Sequence, residues 1–172
     1  MALSEIKAFG LRQVKLTDTG GNNPVILPAA MTFRFVENIK SESFLAADVL
    51  VGQRSITESI SWDLEHGAIS LAAWAMMTGR TASAAGTTPN QTTTINADGA
   101  GAFPYFRVYG KSVGDTGDDI HCLLYRCKLT KIEGQFRSGE FWVSKCGGVA
   151  VMSTYNSNRF YQFVQHETEA TL

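Results

Sequence analysis

The sequence predicts a mainly β fold, a β-sandwich or small barrel with one packed α-helix and a long loop arm. Three observations lead there. Short alternating or aromatic-rich runs bounded by Gly, Asn and Asp recur along the chain, giving roughly eight to ten strands. One segment has helical periodicity with a stop signal, and one stretch of over twenty residues has no pattern at all. At 172 residues the chain is expected to be a single domain, 1–172, large enough to bury a real core.

Residues 7–16 read as an opening strand, and 17–24 (TDTGGNNP) as a turn, because Gly20, Gly21, Asn22 and Asn23 tolerate positive φ. Residues 25–27 are a short return strand. From 31 to 40 the chain alternates, with Met31, Phe33, Phe35 and Ile39 on one face and Thr32, Arg34, Asn38 and Lys40 largely on the other. Residues 44–51 are apolar at both parities except Asp48, which predicts a strand covered on both faces. Gly52-Gln53-Arg54 is then a connection into the strand 55–65. There the even positions Ile56, Ile60, Trp62 and Leu64 are apolar and the odd positions are Ser55, Thr57, Ser59, Ser61, Asp63 and Glu65.

Glu58 interrupts the apolar set. Its charge requires a strand end or a cationic partner, with Arg34, Arg54 or Arg107 of a second subunit as possible partners.

After Leu64 the period changes to that of a helix of about ten residues, with Ile69, Ala72, Ala73 and Met76 on one face and Gly79 as the left-handed stop. Leu71, Trp74 and Ala75 fill most of the remaining surface, so the helix needs cover on more than one side. Residues 80–102 are nearly all Thr, Ala, Gly, Ser and Asn, which suggests an arm or a binding loop. Within it, 91–95 (QTTTI) has strand propensity and is expected to pair with an edge. Beyond lie an aromatic strand at 103–111, a turn at 112–119, a long strand at 120–132, short strands at 141–145 and 149–152, and a last strand at 159–165 before a polar tail.

A net charge of -1 and a pI near 6.3 argue against a nucleic-acid binder, which needs a basic excess. Cys122, Cys127 and Cys146 form no C-x-x-C pair, and Cys122 and Cys127 have opposite parity; three reduced thiols in a reducing compartment are expected. The N-terminus lacks a basic start followed by an apolar run, and no apolar stretch is long enough to span a bilayer, so folding in the cytoplasm is expected.

Catalytic chemistry is poorly supported. His66, His121 and His166 lack zinc-motif spacing; His66 is placed beside the helix start and His121 in the sheet. The run 114–119 holds Asp115, Asp118 and Asp119, the best metal candidate, but Asp and Gly are also what a hairpin turn uses. Asp63 and Glu65 on an otherwise Ser/Thr face suggest a solvated or channel-facing acidic surface. No nucleotide-binding or hydrolase motif is present. No catalytic, cofactor-binding or metal-binding residue is assigned, no cofactor is expected, and the chain is read as a non-enzyme.

Three stretches carry a resemblance: SESFLAADVLVGQRSITESISWDLEHGAISLAAWAMMTG, TINADGAGAFPYFRVYGKS and HCLLYRCKLTKIEGQFRSGEFW. Their order of hydrophobic strand, amphipathic strand, helix closing on Thr-Gly, aromatic F-P-x-F strand and long strand resembles the major tail tube protein of long-tailed (siphovirus-type) bacteriophages. The likeness runs from Phe33 to Met152, about two thirds of the chain, and is one of apolar and Gly positions. The polar tail 165–172 has no counterpart.

The resemblance implies a fold similar to the tube protein of type VI secretion systems. It also implies hexameric rings stacked into a hollow tube around a tape-measure protein, with tail-tip and terminator proteins as further partners. DNA would pass the lumen without specific binding and no membrane would be involved; the location would be the virion tail, assembled in the host bacterial cytoplasm. On this reading neighbours cover the apolar helix, the 80–102 arm reaches another subunit, and 33–51 lines the lumen. The alternatives are a tail terminator or head-tail joining ring, and a carbohydrate- or protein-binding module acting through Trp62, Trp142 or the aromatic strand.

Overall fold

The computed structural model describes residues 7–46, 49–68, 70–97, 99 and 101–172. Among the described residues, ten strands and one α-helix follow the order β1 (Ala8–Asp18), β2 (Val25–Leu27), β3 (Ala30–Ala46), β4 (Val49–His66), α1 (Leu71–Thr78), β5 (Ala82–Ala85), β6 (Thr92–Ile95), β7 (Tyr105–Gly114), β8 (Asp119–Gln135), β9 (Val143–Ala150) and β10 (Tyr161–His166). The main sheet is antiparallel in the order β2-β1-β7-β8-β9-β4-β3. Strand β8 forks: its first half pairs with β10 and its second half with β9.

The sheet curls until distant strands face one another, as the predicted sandwich or small barrel requires. Trp62 of β4 meets Phe106 of β7 edge to face at 5.6 Å, and Phe35 of β3 lies 5.8 Å from both Tyr161 and Phe163 of β10. Between the layers sit Val14, Leu16, Ile60, Trp62, Leu64, Phe106, Val108 and Leu124, all 1 % exposed or less. Trp62 is therefore core rather than a binding platform.

Helix α1 closes one side of this core. Ser70 caps it, accepting a hydrogen bond from the Ala73 amide at 3.2 Å, and Gly79 at φ 71° ends it as predicted. Its buried face is Ala73, Met77 and Thr78 rather than the expected Ala72, Ala73 and Met76; Ala72 is exposed. Ile69 lies outside the described residues.

The largest difference from expectation concerns β3 and β4. Residues 44–46 and 49–51 are not a separate strand covered on both faces; they are the paired ends of β3 and β4 in one long hairpin, and Gly52-Gln53-Arg54 lies inside β4. Asp48 is outside the described residues. Beside Glu58 the pairing passes from Asn38↔Ser59 to Ile39↔Thr57, so Glu58 is the extra residue of a β-bulge.

That bulge reverses the alternation, which is why Ile56 is exposed although its parity matches Ile60 and Trp62. Glu58 sits in solvent just beyond Ile60, where pairing with β9 stops. The strand-end reading thus suffices, and none of Arg34, Arg54 and Arg107 forms an ion pair with it within the chain.

Further along, Gly147 and Gly148 lie within β9 instead of separating two strands. A Cβ on Gly148 would collide with the Lys128 carbonyl and press on Trp62, so the backbone itself fills this space. A second irregularity falls in β8. Phe106↔Cys127 follows Val108↔Leu124, leaving one extra residue in β8, and Leu124, Cys127 and Leu129 all enter the core. The opposite facing of Cys122 and Cys127 predicted by parity is undone by this shift; both are buried and unpaired, as is the half-buried Cys146.

Candidate functional site: assembly surfaces and a buried polar cluster

Two projections leave the curled sheet. Pairing between β4 and β9 covers only Ile60–His66 of β4, so the remainder of the β3–β4 hairpin extends as a two-stranded ribbon. Its large apolar side chains are solvent-facing: Ile39, Phe44, Leu45, Leu50, Val51 and Ile56 are all at least 50 % exposed. An isolated two-stranded ribbon is marginal in water and offers unpaired edges to another chain.

The register sorts the ribbon's two faces. Ile39↔Thr57, Ser41↔Ser55 and Ser43↔Gln53 place uncharged side chains, polar apart from Ile39, on one face, with the Ser41 and Ser55 hydroxyls 2.8 Å apart. Lys40↔Ile56 and Glu42↔Arg54 occupy the opposite face, where Lys40 and Glu42 form an ion pair at 3.2 Å.

The second projection is the arm at 80–102. It is neither structureless nor paired with the main sheet: β5 and β6 form a hairpin of their own from Ala82↔Ile95 to Ala85↔Thr92, and β5 is exposed throughout. The strand propensity of QTTTI is realised within the arm itself. At its root Trp74, Ala75 and Met76 of α1 are only half-buried. A third exposed apolar group stands in the β8–β9 loop, where Phe136 and Phe141 are 84 % and 95 % exposed.

Asp63 and Glu65 do not form an acidic surface. They line an open cleft with Arg34, Lys131, Glu133 and Lys145, so the charges alternate in sign; Glu65 is held by Lys145 at 2.6 Å. The aromatic strand is not an exposed platform either. Phe106 is core, Arg126 lies 4.3 Å above the Tyr105 ring, and Lys15 lies 4.5 Å above Tyr109. Trp142 packs edge on against Phe136 at 3.9 Å.

Sequence spacing missed a buried polar cluster at the far end of the sheet. Asp119, assigned to the acidic turn, is the first residue of β8 and fully buried; Asp115 and Asp118 stay in the turn. His121 is on the same side of β8 two residues on, and His166 of β10 is the cross-strand partner of Asp119. Lys111 of β7 is the cross-strand partner of His121, and its ammonium reaches Asp119 Oδ2 at 3.2 Å and Glu169 Oε1 at 3.0 Å. The Ala170 amide donates to Asp119 Oδ2 at 2.7 Å, so the polar tail folds back onto the cluster.

Burial opposes the charged form of Asp119, but the hydrogen bonds from Ala170 and Lys111 outweigh it and hold the carboxyl below its ordinary value. Burial pushes His121 down, against the pull of Asp119, and favours the neutral imidazole. Burial likewise opposes the charge on Lys111, yet Glu169 and Asp119 keep it raised. The only sequence signal was the matched parity of Asp119 and His121. His166 and Lys111 come from other strands and needed the register.

His66, expected beside the helix start, is buried at the end of β4 with its Nδ1 2.8 Å from the Ala68 carbonyl, and lies level with Ser144 of β9 and Gly134 of β8, at the opposite end of β8 from this cluster. Among the described residues no helix is long and apolar enough to cross a membrane.

A scan against protein-family models finds no match, and a search of the curated proteins finds none. Among solved structures, the chain is similar in fold to a chain in the cryo-EM structure of the anti-feeding prophage (AFP) baseplate, 6-fold symmetrised. Identity is 9 % and the TM-score 0.46, over 95 % of this chain and 97 % of that one.

Proposed function

We propose that the chain is a structural subunit of a bacteriophage tail, without chemistry of its own, that self-assembles into stacked hexameric rings forming a hollow tail tube. The observation that carries this reading is the ribbon: a two-stranded extension with six large apolar side chains in water and free edges is costly in a monomer and useful in an assembly. The exposed β5–β6 hairpin and the half-covered apolar helix at its root supply a second contact surface. The motif order noted in the sequence supplies the kind of assembly.

In this arrangement the Ser/Thr/Gln face of the ribbon lines the lumen and the apolar residues near its tip pack against the neighbouring subunit. A lumen without a basic excess lets DNA slide, since cations on phosphates are what retain it. Tape-measure, tail-tip and terminator proteins are the further partners, and the assembled location is the virion tail.

Negative-stain electron microscopy over a protein concentration series, with light scattering on the same samples, tests the proposal. Hollow rods or stacked rings are expected, alone or after addition of tail-tip components. Single rings that never stack point instead to a terminator or joining ring, and a monomer under both conditions overturns the assembly reading.

A further inference from the structure

We propose that Asp119, His121 and His166 form a binding site for a divalent cation of the zinc type, which pins the C-terminal strand β10 to β8. One ligand atom from each residue lies within 4.8 Å of the other two. Tetrahedral zinc with bonds near 2.0–2.1 Å places its ligands roughly 3.4 Å apart, so closure by at most about 1.4 Å is needed, within reach of side-chain rotation. Two imidazoles and one carboxylate from fixed strands are a donor set suited to that ion.

An independent observation points to a missing ligand. Asp119 Oδ1 is buried and has no hydrogen-bond partner, and His121 Nε2 is buried without a hydrogen bond, although Asp119 Oδ2 lies 3.2 Å from it. Buried polar atoms are rarely left so. The two imidazole rings stand 4.6 Å apart, centroid to centroid.

The neighbouring Lys111 does not occupy the site, because its ammonium is engaged by Asp119 Oδ2 and Glu169 and leaves Oδ1 free. It orients the carboxylate in the manner of an outer-shell partner. Lys111, Asp119 and Glu169 sum to one negative charge, which a dication changes to one positive, a modest imbalance beside solvent-reaching Glu169. A water or Glu169 fills the fourth position. The site depends on the fold alone and stands whether or not the chain forms tubes.

The test is calorimetric titration of the full-length protein with Zn²⁺, with Co²⁺ substitution followed by visible absorption and melting followed with and without metal. One metal per chain, the visible bands of tetrahedral cobalt and a melting temperature that rises with metal concentration are expected. His121→Ala and His166→Ala, each confirmed as folded by circular dichroism, should lose all three responses, whereas His66→Gln should keep them. Absence of saturable binding by the wild-type chain, or binding that survives both substitutions, overturns the site.

Discussion

The Phe33 ring of β3 lies directly over Gly110 of β7, where an added Cβ would stand 2.6 Å from the ring's Cδ1. The two strands are remote along the sheet, so this contact measures how tightly the sheet closes on itself. Gly110→Ala should cost about 1–3 kcal/mol through overpacking, and the cost should shrink when Phe33 is replaced by Leu. Urea denaturation of the four members of the cycle reads the coupling. Equal midpoints for wild type and Gly110→Ala would show that the layers are not in contact there.

Lys111 and Asp119 are 5 % and 0 % exposed, so each is the other's compensation for burial. Lys111→Met leaves a buried carboxylate facing no cation and should destabilise by about 3–5 kcal/mol, while Lys111→Met with Asp119→Leu should be milder than the single change. The pH dependence follows from the depressed Asp119 carboxyl. Its contribution is complete above the ordinary carboxylate value of 3.8 and is lost as pH falls below that through the folded value. Chemical denaturation at descending pH checks this: wild type should weaken below the ordinary value, and Lys111→Met should show less of that loss.

Much of the core was legible because it obeys period two between irregularities. Ile60, Trp62 and Leu64, the Gly79 stop of the helix and the β7 strand all follow from local pattern. The irregularities were not legible. A single extra residue at Glu58, and another in β8 after Leu124, inverts which side chains are inside, and no residue type announces a bulge. Gly52 reads as part of a connection and Gly147-Gly148 falls between two predicted strands, yet Gly148 is in mid-strand for lack of room beside Lys128 and Trp62. The Asp119 cluster depends on three strands in register, information that spacing along the chain does not contain.

The thiols give a simple probe of core integrity. Burial alone pushes Cys122 up to about 12, and burial with the nearby Asp63 carboxylate does the same to Cys146, while burial, reinforced by the neighbouring Cys122, raises Cys127 well above the ordinary thiol value. At pH 8 the native protein should therefore react with Ellman's reagent far more slowly than the unfolded chain, which should titrate three thiols. A rapid native burst of one equivalent would place a cysteine at the surface and contradict the packing around β8 and β9.

The β5–β6 hairpin pairs only with itself, and its strands are almost wholly exposed. Replacing residues 82–95 with a short Gly-Ser linker should leave the urea midpoint within about 1 kcal/mol of wild type, because little apolar surface returns to water. On the proposed function the same deletion should abolish rods in micrographs. Rods of normal length would show that the arm is not an assembly contact, whereas a large loss of monomer stability would show that it belongs to the core.

On the proposed function, the ribbon face that turns toward the lumen can be read through charge. Ser41 and Ser55 face one another with hydroxyls 2.8 Å apart, on the uncharged side of the β3–β4 ribbon. Ser41→Lys adds one cation per subunit to that side, repeated around every ring of the proposed tube, and cations on phosphates hold nucleic acid in a salt-dependent way. If this side lines the tube, assembled Ser41→Lys particles should retain short duplex DNA on co-sedimentation at low salt and release it as salt is raised, while wild-type particles retain none. The matching change on the opposite side, Glu42→Lys, should meet the neighbouring subunit instead and weaken assembly without conferring retention. DNA retention by Glu42→Lys alone would reverse the assignment of the two faces.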